Sequence, residues 1–499
     1  MNAQAGIAAG HTLTADVGAE ILRSDGSAVD AAVAALLAAC VCEPVLASPA
    51  GGGFAMVSSS SAPACLDFFV HTPKHPSGQR YDGLTEIEAD FGGTLQAFHI
   101  GPGSVATPGF IPGLLELHKR FGRVPLRRLV EPAIGHAKSG VALTPYQARL
   151  AQIVGPILLA TPSARDLHAR ADEETLLEQG DTLTNHNLAD ALDAIASEGA
   201  RIVTEGEIAQ AMLEAASGGH LERDDLRLYE PVWRDPLTRS LGQMPKDHRR
   251  MLATNPAPSA GGGLITALLA TYQSGETFEP LSFAKALDTV DKRWRALSKP
   301  QGFDDRMMAS APASVATRGT THVSVIDADG MAVSITVSNG EGNGSIVPGC
   351  GFMLNNMLGE DDLLADGPGS WEPDKRLSSM MAPTLVADPK GGLLALGSGG
   401  SNRIRSAMAQ VLLRWGIHGE RLEDAIRAPR LHAEEGHLDA EPGLDLEPLQ
   451  RAFEDHKIWD APSMFFGGAH GVERVVNADG RFSIEGAGDD RRDGVFIAV

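Results

Sequence analysis

"ASVATRGTTHVSVIDADGMAVSITVS", Ala313–Ser338, is the stretch that decides the fold. In "THVSVID" and "MAVSITVS" polar and apolar residues alternate with a period of two, and "ADG" between them supplies turn residues. That pattern predicts an antiparallel hairpin. Its first strand begins on Thr320 and Thr321, directly after Gly319. Ahead of it, residues 299–319 are polar and aperiodic, and read as an exposed linker. A threonine hydroxyl is a weak nucleophile without a base. One solution uses the residue's own α-amine, which requires the threonine to be a chain N-terminus. Cleavage of the Gly319–Thr320 bond would create one. Threonines are equally at home as β-branched strand residues, and local spacing leaves both readings open.

Outward from the hairpin, "APTLVAD", "PKGG" and "LLALGSGG" (Ala382–Gly400) predict a second one. "RIRSAMAQVLLRWGI" (Arg403–Ile417) reads as an amphipathic helix. Towards the N-terminus, Ala15–Arg23 is expected to be helical. A second helix opens at Ser27, an N-cap with Asp30 three residues on. "SPAGGGFAMV" (Ser48–Val57) is a glycine-rich turn into a strand. "TNPAPSAGGGLITALLATY" (Thr254–Tyr272) is a Pro/Gly loop feeding a helix. Residues 110–140 and 185–217 carry helical apolar periods. Early helices and late hairpins predict one interleaved, layered α/β body. There is no internal repeat.

The chain has 499 residues, 43% of them hydrophobic and 21% charged, enough for a large core. A net charge of -22 argues against nucleic acid or anionic membranes as partners. The apolar run Ala28–Cys42 carries Asp30 and is short for a membrane span. No basic-then-apolar leader opens the sequence, so the expected location is the cytoplasm. Cys40, Cys42, Cys65 and Cys350 form no paired CxxC motifs, which argues against a zinc site and fits a reducing compartment.

Several loops carry candidate chemistry. "LGSGGSNRIRSA" (Leu396–Ala407) places consecutive glycines before a helix, suitable for an anion or oxyanion, or for a plain strand-to-helix turn. It lacks the lysine and spacing of a nucleotide-phosphate loop. "RLSSMMAPT" offers the hydroxyls of Ser378 and Ser379 to a carboxylate, although such pairs are commonly turn residues. "NNMLGEDDL" (Asn355–Leu363) offers amides and acids, and also suits a solvated loop. "HAEEGH" (His432–His437) lacks metal-binding helical spacing, and G-x-S-x-G is absent. No metal or cofactor is expected.

The order of these segments resembles the γ-glutamyltransferase (γ-glutamyltranspeptidase) family of N-terminal nucleophile hydrolases over nearly the whole chain. The resemblance is carried by "GAEILRSDGSAVDAAVAALLA", "SPAGGGFAMV", "SVATPGFIPGLLELHKRFG", "LVEPAIGHAKSGVAL", "NPAPSAGGG", "TTHVSVIDADGMAVSITVS", "MLNNMLGEDDL", "RLSSMMAPT", "GSGGSNRIR" and "APRLH". It implies a four-layer αββα sandwich and a precursor cut between Gly319 and Thr320. The products would be a large subunit, 1–319, and a small one, 320–499, forming one interleaved catalytic unit.

The resemblance also implies roles. Thr320 would attack an amide such as the γ-glutamyl bond of glutathione, form an acyl-enzyme, and pass the acyl group to water or to an amine or peptide acceptor. Ser338, eighteen residues on, takes the position of the family's supporting hydroxyl. Gly400 and Ser401 map to its backbone oxyanion donors, and Ser378 and Ser379 to its carboxylate-binding serines. Glu360 maps to the acid that meets the substrate's α-amine, and Asn339 stands in for a nearby amide. Two departures stand out. Phe69, in "LDFFVHTP", occupies the place of the arginine that grips the glutamyl α-carboxylate, and Met357 replaces a polar residue. Losing a bidentate clamp points to less charged or bulkier acyl groups. The stretch Asp366–Lys375 is short, so a lid loop is expected to be absent. The remaining readings are an amidase of the same fold for another acyl group, and an uncleaved, non-catalytic homologue.

Overall fold

The computed structural model describes residues 3–59, 62–75, 83–90, 95–172, 174–242, 250–297, 319–360, 364, 369–477 and 479–499. The linker expected at 299–319 lies outside these residues, save Gly319. The shortened stretch 366–375 is described from residue 369 on.

Thirteen strands build the two main sheets. In chain order they are β1 (Gly6–Ala9), β2 (Gly52–Ser58), β3 (Ala64–Phe68), β4 (Val232–Arg234), β5 (Leu237–Leu241), β6 (Arg250–Thr254), β7 (Thr320–Ile326), β8 (Ala332–Ser338), β9 (Thr384–Ala387), β10 (Leu393–Gly399), β11 (Gly468–Val476), β12 (Phe482–Ala487) and β13 (Val495–Ala498). One sheet runs β13–β1–β7–β8–β2–β3–β4 and the other β12–β11–β10–β9–β6–β5. Every neighbouring pair in both is antiparallel. Both expected hairpins are present: Thr320 faces Ser338 across β7–β8, and Thr384 faces Leu396 across β9–β10.

The two sheets lie face to face. Ala8, Met56, Ile326 and Ala332 of the first meet Leu385, Ala395, Val472 and Ile484 of the second in a shared apolar cluster. The outer face of this sheet is covered by helix α1 (Thr12–Arg23), over β1 and β13, and by α2 (Ala28–Cys42), over β7 and β8. α2 is apolar all round and every residue in it is buried, as expected of a helix inside a core. Its capping box is formed as the sequence predicts: the Asp30 carboxylate accepts from Ser27 N–H at 2.9 Å, and Asp30 N–H donates to Ser27 Oγ at 3.1 Å. α1 begins three residues earlier than expected because His11 acts as its N-cap, its Nδ1 accepting from Leu13 N–H. The second sheet is covered by α3 (Gly261–Thr271) and α4 (Arg403–Gly416).

The region 110–140 divides into helices Phe110–Phe121 and Leu126–Ser139, separated at Gly122–Pro125. Residues 185–217 divide into three, with breaks where Gly199 and Gly206 fall. Among the described residues no helix is long and apolar enough to cross a membrane.

Candidate active site

Thr320 is the first residue of β7, and its alternation sorts the strand's side chains. Thr321, Val323 and Val325 point towards α2, where both valines join the helix-side core. Thr320, His322, Ser324 and Ile326 take the other face, between the sheets. His322 is held there by Thr336 Oγ1 on Nδ1 and Ser324 Oγ on Nε2, each at 2.8 Å. Burial, with His470 stacked beside it, keeps His322 far below its usual pKa and hence neutral.

Thr320 itself is buried, and two segments converge on it. From β8, Ser338 Oγ donates to the Gly319 carbonyl oxygen at 2.6 Å and accepts from Gly340 N–H at 3.1 Å. From the end of β10, Gly399 lies against the Thr320 carbonyl. A methyl group on Gly399 would run into that oxygen and stand 3.2 Å from Arg492 Nη1. The chain then turns through Gly400 (φ 129°) and Ser401 (φ 52°) into α4. That turn presents backbone and a helix N-terminus beside Thr320, the arrangement the glycine-rich sequence suggested.

Thr320, Ser338, Ser379, Ser401, Glu360, Phe69 and Met357 line one pocket, with Met380, Met381 and Ile404 completing the wall. Asn339, Ser378 and Gly400 stand outside that lining. The Asn339 amide donates instead to the Met353 and Leu354 carbonyls at 3.3 and 3.4 Å. The conspicuous asparagine pair acts as a backbone splint. Asn355 bonds the Ala50 and Ala106 carbonyls and the N–H groups of Ala106 and Met357. Asn356 Oδ1 accepts from Glu341 and Gly342. Together they fix where Met357 and Glu360 enter the wall. "RLSSMMAPT" and "NPAPSAGGG" are joined likewise: the Ser379 carbonyl accepts from Ser259 Oγ and from the N–H groups of Ala260 and Gly261.

Phe69 follows β3 and is held from both ends. Its N–H donates to Asp67 Oδ1 at 3.1 Å, and its carbonyl accepts from Tyr229 Oη at 2.7 Å and from Arg376. Its ring packs tilted on Phe54, with centroids 5.5 Å apart. Sequence reading missed Tyr229 and the role of Arg376, because both act on a backbone atom far away in the chain.

It also missed Glu43. This fully buried carboxylate at the end of α2 accepts from Thr14 Oγ1 and Thr321 Oγ1, each at 2.7 Å. Burial raises its pKa to about 7, the two hydroxyls pulling the other way. The available signal was that Glu43 is the only charged residue between Ala31 and Ala50.

Comparison with known proteins shows the chain's family. The family model described as Gamma-glutamyltranspeptidase matches residues 14–292 and 282–499. The chain is 28% identical to the Acylase ACY 1 proenzyme of Pseudomonas sp. (strain V22), covering 98% of this chain and 92% of that protein. It is 27% identical to the Glutathione hydrolase proenzyme of Pseudomonas aeruginosa, covering 99% and 94%. Its fold is similar to that of the cephalosporin acylase from Bacillus halodurans, with a TM-score of 0.78 at 22% identity over 100% of this chain and 96% of that one. The chain belongs to the gamma-glutamyltranspeptidase family. It is an enzyme of that family, with hydrolase and acyl-transfer chemistry as its class.

Proposed function

We propose that the protein is a self-cleaving, γ-glutamyltransferase-like amide hydrolase with Thr320 as nucleophile. The observation that carries this reading is the bond from Ser338 Oγ to the carbonyl of Gly319, at the peptide that must break. Thr320 Oγ attacks the Gly319 carbonyl carbon, its proton passes to the departing Thr320 nitrogen, and an ester replaces the amide. The Ser338 hydroxyl stabilises the developing oxyanion. Water then hydrolyses the ester, leaving residues 1–319 with a new carboxylate and residues 320–499 with a free α-amine. The layers are read as an αββα sandwich assembled from both parts.

In turnover, the Thr320 amine takes the Oγ proton as Oγ attacks a substrate amide. Backbone N–H groups of Gly400 and Ser401 receive the oxyanion. The amine leaves with the proton, and the acyl-enzyme passes its acyl group to water or to an amine or peptide acceptor. Ser379 and Glu360 are the polar groups that the pocket offers the substrate. No cofactor takes part, and the cytoplasm is the proposed location.

The γ-glutamyl group of glutathione is one acyl donor within the class. Phe69 in the wall, where a carboxylate-gripping arginine was expected, favours a second reading with another acyl group. Denaturing gel electrophoresis tests the nucleophile. Wild-type protein should resolve into fragments 1–319 and 320–499, and Thr320→Ala should stay whole. A wild-type chain that never divides, or a variant that still does, overturns the assignment and leaves the non-catalytic homologue.

A further inference from the structure

One short turn after α2 reaches both neighbours of Thr320. At its start, Glu43 Oε2 accepts from Thr321 Oγ1, and Glu43 Oε1 accepts from Thr14 Oγ1, each at 2.7 Å. Two residues on, the Val45 carbonyl oxygen lies against Gly319. The Gly340 carbonyl oxygen lies against the same residue, and a methyl group on Gly319 would run into both oxygens. Glu43 and Val45 thus hold the residues on either side of Thr320.

The turn is itself anchored. Glu43 N–H donates to the Ala39 carbonyl at 2.7 Å, and the Glu43 carbonyl accepts from the N–H groups of Leu46 and Ala47 at 2.8 and 3.0 Å. It extends α2, which is buried along its whole length. The opposing carbonyl is fixed as well. Gly340 has a φ of 65°, and Asn356 and Glu360 occupy the space a side chain would need there. Ser338 Oγ accepts from Gly340 N–H and donates to the Gly319 carbonyl, tying the two glycines together. Self-cleavage depends on such restraint. Thr320 Oγ must reach the carbonyl carbon of the residue before it, and a misplacement of about 1 Å can cost roughly 10²-fold in rate.

We propose that the turn Glu43–Val45 is a clamp for self-cleavage, in which Glu43 acts through Thr321 as a positioning residue and glycine is required at 319 to admit the Val45 and Gly340 carbonyls. Glu43 forms no bond to the reacting atoms. It fixes the start of β7, and so fixes where Thr320 stands relative to the Gly319 carbonyl carbon. The second hydroxyl on the same carboxylate comes from Thr14 of α1 and ties a helix, not the nucleophile's strand. The two threonines therefore separate a clamp from general support of the fold. This inference rests on Thr320 being the self-cleaving nucleophile.

The test times the division of newly made full-length chain on denaturing gels. Thr321→Val deletes the hydroxyl and should slow division at least about tenfold. Thr321→Ser restores the hydroxyl and should return the rate to within about threefold of wild type. Thr14→Val removes the same kind of bond from the same carboxylate, and should also stay within about threefold. Gly319→Ala should slow division by roughly 10²-fold. In a Glu43→Leu background, adding Thr321→Val should cost nothing further. If Glu43→Leu does not fold, the two threonines decide alone. Equal slowing by Thr14→Val and Thr321→Val, or division at the wild-type rate in Thr321→Val or Gly319→Ala, overturns the proposal. A wild-type chain that never divides overturns the Thr320 assignment and the clamp with it. A wild type that divides, with variants that all keep pace, overturns the clamp alone.

Discussion

Ser338 Oγ donates a 2.6 Å hydrogen bond to the carbonyl oxygen of Gly319. The two residues are brought together by the ladder that pairs Thr320 with Ser338, so the support for the Gly319 carbonyl is a product of strand register. A slip of one residue would turn Ser338 to the other face of the sheet. The bond makes a kinetic prediction. Ser338→Ala should slow self-cleavage by roughly 10²–10³-fold, the usual effect of removing one oxyanion donor, while Ser338→Thr retains most of the rate. A denaturing-gel time course after synthesis reads this directly. Identical rates in Ser338→Ala and wild type would show that the bond is idle.

Glu43 predicts a pH dependence of stability. Its carboxyl titrates near 4.5 when solvated and at about 7 in the fold. Between those values the folded state binds the proton and the unfolded state does not, so stability falls as pH rises through this window. The contribution is roughly 3 kcal/mol across it. Glu43→Gln removes the titration and keeps a polar partner for Thr14 and Thr321. The Tm of the variant relative to wild type should therefore climb from pH 5 to pH 8. A difference that stays flat over that range would contradict the assignment.

Asp30 predicts a stability cost. Its carboxylate accepts from the N–H and Oγ of Ser27 and from the N–H groups of Arg123 and Val124. It is fully buried. Asp30→Ala leaves the N–H groups of Ser27, Arg123 and Val124 without this acceptor and removes the Asp30 half of the α2 capping box, at a cost of about 3 kcal/mol. Thermal melting at pH 7 should show a clear drop, and an unchanged melting curve would refute the account.

The grip on Phe69 predicts a separation of effects. Tyr229→Phe deletes one donor to the Phe69 carbonyl, and Arg376→Gln deletes another along with the ion pair to Asp67. Both should raise KM for the acyl donor by several-fold, about 1 kcal/mol per lost bond, with kcat and self-cleavage nearly unchanged. A matching fall in kcat for every donor, with KM fixed, would place these residues in the chemistry instead of the wall.

The hairpin starting at Thr320 and the capped helix at Ser27 were legible in the sequence because each is specified by residues within a few positions. The convergence of Ser379, Ser401 and Glu360 on Thr320 followed from likeness to a known family, since nothing local ties those segments together. Asn355 and Asn356 drew attention for their chemistry, yet their side chains mostly satisfy backbone groups of Ala50, Ala106, Glu341 and Gly342. Buried loops need such splints, and sequence shows the amide without showing its partner. Tyr229 and Arg376 were invisible for the same reason. Each acts through one carbonyl oxygen, 160 and 307 positions from its own place in the chain.

The strand order β13–β1–β7–β8–β2 has a consequence for the history of the molecule. Strands from before and after Gly319 are interleaved within it, β1 lying between β13 and β7 and β2 following β8, so a break at Gly319–Thr320 would leave two polypeptides threaded through a single sheet. They would stay together without the bond that guided them there. Once unfolded, however, they would be two solutes, and restoring the fold would require an encounter that the intact chain never faced. Such a protein survives by the slowness of its unfolding more than by its capacity to re-form. Its architecture would then outlast the covalent thread that wrote it.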